Sequence, residues 1–122
     1  MLLTINQVLN ARNSLGELNN IKLPIATAIK LNGDMDKVND VFSEFEKRQL
    51  AIYEKHGEAA EGPGQFKFEP DQVPVINGLL ADIGIEEIDL DVTALPLSVL
   101  NGDAKLSGND LKNLNWYLDS EN

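Results

Sequence analysis

Between Pro24 and Gly57 one line of positions recurs at alternating steps of three and four: Ala28, Leu31, Met35, Val38, Phe42, Phe45, Gln49, Ile52 and His56. That spacing puts them along one face of an α-helix, apolar except at Gln49 and His56. Val41 and Tyr53 widen the face into a broad core-facing stripe. Lys30, Asp36, Lys37, Asp40, Glu44, Lys47, Arg48 and Lys55 occupy the opposite side and read as its solvated face, with Glu44 and Arg48 ordered as an i, i+4 pair. Pro24 suits a first helical turn and Gly57 a C-cap. Gly33 disfavours the helix by roughly 1 kcal/mol relative to Ala, so the span either runs unbroken or kinks at Asn32-Gly33-Asp34, with Asp34 restarting it. Unbroken, it is about 50 Å long, more than a compact domain of this size covers on all sides. Part of the seam must then meet either the rest of the chain or a second copy.

Shorter patterns flank this stretch. Thr4 with Gln7 makes a capping-box signature, and Ile5, Val8, Leu9 and Leu15 predict a first helix over about 4–15, ending near Gly16 or one turn later at Leu18. A short connection makes this helix antiparallel to the long one. After Gly57, Gly62-Pro63-Gly64 is the clearest turn signal. Phe66 and Phe68 alternate with Lys67 in a short strand, and a helix opened by Pro70 carries Val73, Ile76, Leu79, Leu80 and Ile83 on one face up to Gly84. Ile88, Leu90 and Val92 alternate with Asp89 and Asp91 in a second strand. Strand, helix, strand predicts a small two-stranded sheet backed by helices. One helical turn is expected within Leu95 to Leu100. A last helix over about 108–119 has Ser107 and Asp110 at its start and Leu111, Leu114 and Leu118 on its buried face. The expected fold is α+β and mainly helical, one domain over 1–122: a long central helix, an antiparallel N-terminal helix, a small two-stranded sheet and a short C-terminal helix.

Composition narrows the chemistry. The 122 residues carry 20 Asp and Glu against 10 Lys and Arg, a formal charge of -10, which disfavours direct contact with nucleic-acid phosphates or anionic lipid. No apolar run approaches the roughly 20 residues of a membrane span, and MLLTINQVLN lacks the basic start and long apolar centre of a signal peptide. The expectation is a soluble intracellular protein. Without cysteine there are no disulfides, thiolate metal sites or thiol nucleophiles. The single histidine, His56, cannot assemble a triad or a histidine-rich metal centre within one chain, and near a helix C-terminus it is favourably placed for structural reasons alone. Gly62-Pro63-Gly64 lacks the spacing and the following Lys-Ser/Thr of a phosphate cradle and reads as a connector. Carboxylates are too numerous for any pair to stand out, so neither a catalytic residue nor a cofactor is expected.

Three features stay open between a functional and a structural reading. The segment NGDAKLSGNDLKNL, Asn101 to Leu114, resembles part of the calcium loop of a dockerin or EF-hand-type repeat. Asn101, Asp103 and Asp110 fall where oxygen ligands stand, but Val99 occupies the first ligand position and Ala104 replaces the turn glycine. A tight Asn-Gly turn followed by a Ser-capped helix accounts for the same residues without metal. Trp116 and Tyr117 are either partner anchors or core rings. Asp36, Asp40 and Glu44 on the helix, with Asp89 and Asp91 on the strand, are the carboxylates that an acidic mimic of nucleic acid would array.

The order of signals also resembles a family of short proteins of tailed bacteriophages. The segments that carry the likeness are KLPIATAIKL (Lys22 to Leu31), FEKRQLAIYEKHGE (Phe45 to Glu58), QFKFEP (Gln65 to Pro70), IDLDVTALPLSVL (Ile88 to Leu100) and the closing LSGNDLKNL helix. These are patterns of fold, and the family brings no catalytic residues to carry over. The resemblance implies a protein acting in a bacterial host's cytoplasm or within a virion. Two partner-directed readings follow. One is a non-enzymatic protein working through contacts with a phage or host protein, self-associating along Met35, Val38, Phe42 and Phe45. The other is an acidic inhibitor of a host nucleic-acid-binding defence enzyme. A small metal-dependent hydrolase is a more remote third.

Overall fold

A computed structural model describes residues 1–60, 62, 65–100 and 105–119. A short strand β1 (Leu2–Thr4) leads directly into α1 (Ile5–Asn19). The capping box forms as the sequence implies: Gln7 N–H donates to the Thr4 hydroxyl at 3.2 Å, and the Thr4 amide donates to the Gln7 side chain at 2.8 Å. Gly16 does not end this helix. It continues to Asn19 because Leu18 lies fully inside the core, and burying a leucine contributes about 1.5–3 kcal/mol.

The organising helix α2 (Ile25–His56) is unbroken through Gly33. It starts from Pro24 and ends where the Gly57 amide donates to the Tyr53 carbonyl at 2.8 Å. Its 32 residues span about 48 Å, whereas the 15 of α1 reach only about 22 Å. The two run antiparallel: Arg12 on α1 donates to Asn39 at 3.0 Å and lies 4.0 Å above the Phe42 ring, while Ile5, at the start of α1, sits beside Val41 and Phe45. Beyond Phe45, α2 therefore outruns its partner helix.

The strands do not pair as expected. Phe66 to Lys67 (β3) forms a hairpin with Glu58–Ala59 (β2), and Glu87–Asp89 (β4) lies antiparallel to β1, with Leu2 opposite Asp89 and Leu3 opposite Ile88. The helix α3 (Val73–Gly84) thus separates two different sheets, not two strands of one. A third pair is parallel, joining β5 (Leu95–Pro96) to β6 (Leu118–Asp119). The physical reason is location. The aromatic hairpin is tied to the far end of α2, where Tyr53 contacts Phe66 and Phe68 at ring separations of 5.9 and 5.2 Å, while β4 is drawn to the N-terminus by the buried Leu3. Gly62, between β2 and β3, holds φ +97°, a conformation that glycine adopts without a Cβ penalty.

A helical turn forms at Leu97–Val99, as expected. The last helix, α4 (Gly108–Asn113), is shorter than its pattern implied. Its Ser107–Asp110 capping box is complete, but Leu111 stays 47% exposed, and the chain leaves the helix so that Tyr117, not Leu111, joins Leu114 in the core. The main cluster gathers Leu3, Val8, Ala11, Leu15 and Leu18 from β1 and α1, Leu31 and Val38 from α2, and Leu90, Val92, Leu95, Leu114 and Tyr117 from the C-terminal half. From α2 it takes fully buried side chains no further along than Val38. Ile76 and Ile83 of α3 are buried outside this cluster, over the distal half of α2.

Candidate functional site

The predicted polar face of α2 is partly folded inward. Asp34, expected as a cap for a restarted helix, is 6% exposed, and its Oδ2 accepts from Lys30 at 2.5 Å and from the Tyr117 hydroxyl at 2.7 Å. Lys30 also donates to the Thr93 carbonyl at 2.7 Å. A buried carboxylate needs such compensation, because desolvating it alone would cost several kcal/mol. Burial, then the bond to Asp34, push the Tyr117 hydroxyl above its ordinary range, keeping it a donor. Tyr117 is 0% exposed and belongs to the core, so it is not a partner anchor. Trp116 packs edge-on to it at 5.5 Å and is half-buried against the core, with an indole N–H that has no partner among the described residues.

The proposed self-association seam is partly used within the chain. Val38 is 2% exposed, Met35 packs on the main cluster, and Phe42 lies beneath the Arg12 guanidinium. Met35 also borders a shallow recess beside Arg12 and Asn39, and Phe45 faces open space. Phe45 lines a groove of about 430 Å³ together with Val41, Ile5, Ile88 and Leu90, under a rim of Asp40, Glu44, Arg48, Glu86 and Asp89. It lies alongside the distal half of α2, and a larger recess of about 580 Å³ sits at the helix end around His56, Phe68 and Gln72. The floor of the Phe45 groove comes from the apolar stripe of α2 and from the alternating residues of β4, and its outer wall exists because β4 pairs with β1.

Charge at the groove follows from a second departure. Arg48 does not pair with Glu44; Glu44 meets Lys47 at 3.2 Å, and Arg48 reaches across to Glu86 with two bonds of 2.8 and 2.6 Å. A fork-shaped guanidinium matches a carboxylate in this bidentate way, which a helix neighbour one turn away rarely permits. The bond to Arg48 holds the Glu86 carboxyl below its usual range, and the reciprocal bond raises Arg48. On the far side of this bridge lies a second recess of about 380 Å³, lined by Ala51, Ile52, Leu79, Asp82 and Ile83. Arg48 and Glu86 border both.

Of the carboxylates that a nucleic-acid mimic would use, Asp36, Asp40 and Glu44 remain exposed on α2. Asp89 is 2.8 Å from the Met1 amino group, and Asp91 is 3.6 Å from Lys37, whose ammonium also donates to the Asp91 carbonyl. Both strand carboxylates are paired with neighbours, and Asp89 shares the groove rim with Asp40 and Glu44. At the former calcium-like segment, Asn101 and Asp103 lie outside the described residues. Asp110 is committed to α4: its Oδ1 accepts from Ser14 at 2.8 Å and its Oδ2 from the Ser107 amide at 3.3 Å. His56 Nδ1 lies 3.0 Å from the Gln72 side-chain oxygen, a contact between α2 and the entry to α3. Among the described residues, no group of three His, Asp or Glu is placed to hold a metal ion, and no helix is long and apolar enough to cross a membrane.

Asp40, Glu44 and Asp89, grouped by sequence as carboxylates of one acidic array, do meet at one groove, and Phe45, assigned to a separate seam, joins them there. Glu86, Ile88 and Leu90 as one wall of that groove, and Lys30 with Asp34 as a buried pair, did not emerge from sequence. The i, i+4 spacing of Lys30 and Asp34 was the available signal. In comparisons with known proteins, no family model, curated protein or solved structure matches this chain.

Proposed function

We infer that this is a non-enzymatic protein of a tailed bacteriophage that acts through protein contacts, and that the groove over Phe45 is its contact surface. The observation that carries this reading is the uneven use of α2. Its proximal half sends Leu31 and Val38 into the main core, although Ile25 and Ile29 near its start stay exposed, whereas its distal half keeps Phe45 and Ile52 only half-buried beside open recesses. Grooves with an apolar floor and a polar rim suit the insertion of a side chain or helix from another protein. The phage assignment draws on the sequence resemblance given above, and the non-enzymatic one on a chain without cysteine whose single histidine faces the Gln72 side chain. The working compartment in this reading is the host cytoplasm or the virion.

The test is capture of tagged protein from phage-infected bacteria, with wild type beside Phe45→Asp and the milder Phe45→Ser. Loss of the same partner from both variants, with helical content unchanged by circular dichroism, is the expected result. Retention of every captured protein by both variants would remove the groove from the account.

A further inference from the structure

The two recesses on either side of Arg48 and Glu86 form one interrupted trench. From Val41 to Ile52 it follows α2 for about 16 Å, three helical turns, and the salt bridge spans it near the middle. Five carboxylates line it: Asp40, Glu44 and Asp89 on one side of the bridge, Asp82 beyond it, and Glu86 in it. Glu86 is paired with Arg48, Glu44 with Lys47 and Asp89 with the Met1 amino group, so five carboxylates meet three cations and the rim stays acidic. An apolar floor with such a rim selects an occupant with an apolar stripe and flanking cations. A second copy of this chain, also at -10, would set acidic rim against acidic rim.

We propose that the trench receives a basic amphipathic helix from the partner protein, and that Arg48 is an internal stand-in for one of that helix's cations. Bound to Glu86 from within, Arg48 occupies the position that an incoming Lys or Arg takes. When the partner's cation replaces it, Arg48 swings off the midline and the two recesses become continuous. The helix then lays leucine- or isoleucine-sized side chains over Val41, Phe45 and Ile52, in the helix-in-groove manner. This rests on the reading of the groove as a protein-contact surface.

The probe is a fluorescent peptide of about 14 residues, roughly 21 Å as a helix, with leucines along one face and lysines on its flanks. A scrambled peptide of the same composition and a glutamate-for-lysine version serve as controls. Anisotropy titrations are run on wild type, Arg48→Ala, Glu86→Gln and Lys22→Ala, the last removing an exposed cation ahead of α2 that lines neither recess. The proposal expects the amphipathic basic peptide to bind in preference to both controls and to weaken with salt. Arg48→Ala should tighten it by about fivefold, the scale of one exposed charge pair, with Lys22→Ala changing it less than about twofold and Glu86→Gln weakening it. Nuclear magnetic resonance shifts should map to Val41, Phe45 and Ile88. Equal binding of the scramble, or equal effects of Arg48→Ala and Lys22→Ala, overturns the internal-competitor assignment. A concentration-dependent dimer lost in Phe45→Ser overturns the basic partner in favour of a second copy. If capture depends on Phe45 while the basic peptide fails on every variant, the groove reading stands and this inference falls; if capture is indifferent to Phe45, both fall.

Discussion

At Tyr117 one hydroxyl joins the C-terminal segment to the middle of the long helix. Its bond to the buried Asp34 carboxylate spans 83 residues of sequence and shares that oxygen with Lys30. Replacing Tyr117 by Phe keeps the ring and deletes the donor, leaving Asp34 under-satisfied, and should destabilise the protein by about 1–3 kcal/mol in urea unfolding. The pH dependence has a defined sign. Because the folded hydroxyl titrates above its ordinary value, its contribution is complete below about pH 10 and is lost as pH rises through the folded value. Stability of wild type should therefore fall above about pH 10, and the Tyr117→Phe variant should lose that part of the slope. Asp110 behaves oppositely. The bond from the Ser14 hydroxyl, aided by Ser107, lowers its carboxyl, so its contribution is present above the ordinary carboxylate value and lost as pH falls through the lowered one. Melting temperatures of wild type and Ser14→Ala should converge as pH drops below about 4. A gap that stays constant down to pH 2 to 3, roughly, would show that Ser14 acts by packing alone.

Elements differ in how far local sequence determines them. Both capping boxes, Thr4 with Gln7 and Ser107 with Asp110, were legible because each closes within four residues. The 3.6-residue period of α2 was legible for the same reason. Pairing of β1 with β4 was not, since strands of two or three residues carry no register of their own and are placed by what Leu3 and Ile88 bury. Nor was the extent of α4, which ends early because Tyr117 has a long-range partner in Asp34. Two glycines turn this into measurable contrasts. Gly33 is helical and exposed, and a Cβ there meets nothing within 4 Å, so Gly33→Ala should raise stability by about 0.5–1 kcal/mol. At Gly57 the backbone is extended and unstrained, but a methyl group would overlap the Phe68 ring, itself held against Tyr53 and Phe66. Gly57→Ala should cost about 1–3 kcal/mol by displacing that ring, with a changed near-ultraviolet circular dichroism signal. The candidate groove divides along the same line: Phe45, Asp40 and Glu44 were readable from α2, whereas Glu86, Ile88 and Leu90 reach it only through the β1–β4 pairing.

Across the whole molecule, α2 is one helix set in two environments. Leu31 and Val38 sit in the main cluster at 0 and 2% exposure, while Phe45, Gln49, Ile52 and Tyr53 are only half-buried among α3, the aromatic hairpin and the recesses. Local opening free energies follow the apolar burial available to each segment, so the distal turns should open without the rest. Helix cooperativity works against a sharp boundary, but a helix end with weak tertiary cover frays inward from its terminus. Hydrogen exchange should therefore give amides from Ile52 to His56 weaker protection than those from Leu31 to Val38, by more than end fraying in the well-covered α1. The Arg48–Glu86 bridge ties the distal turns to the segment after α3, so Glu86→Gln should lower protection around Arg48 to Ile52 while leaving Leu31 to Val38 unchanged. Uniform protection along α2, or a loss shared equally by both halves, would mean that the helix opens only globally. In that event the recesses would be fixed features of a rigid body, and a partner would have to enter them as they stand.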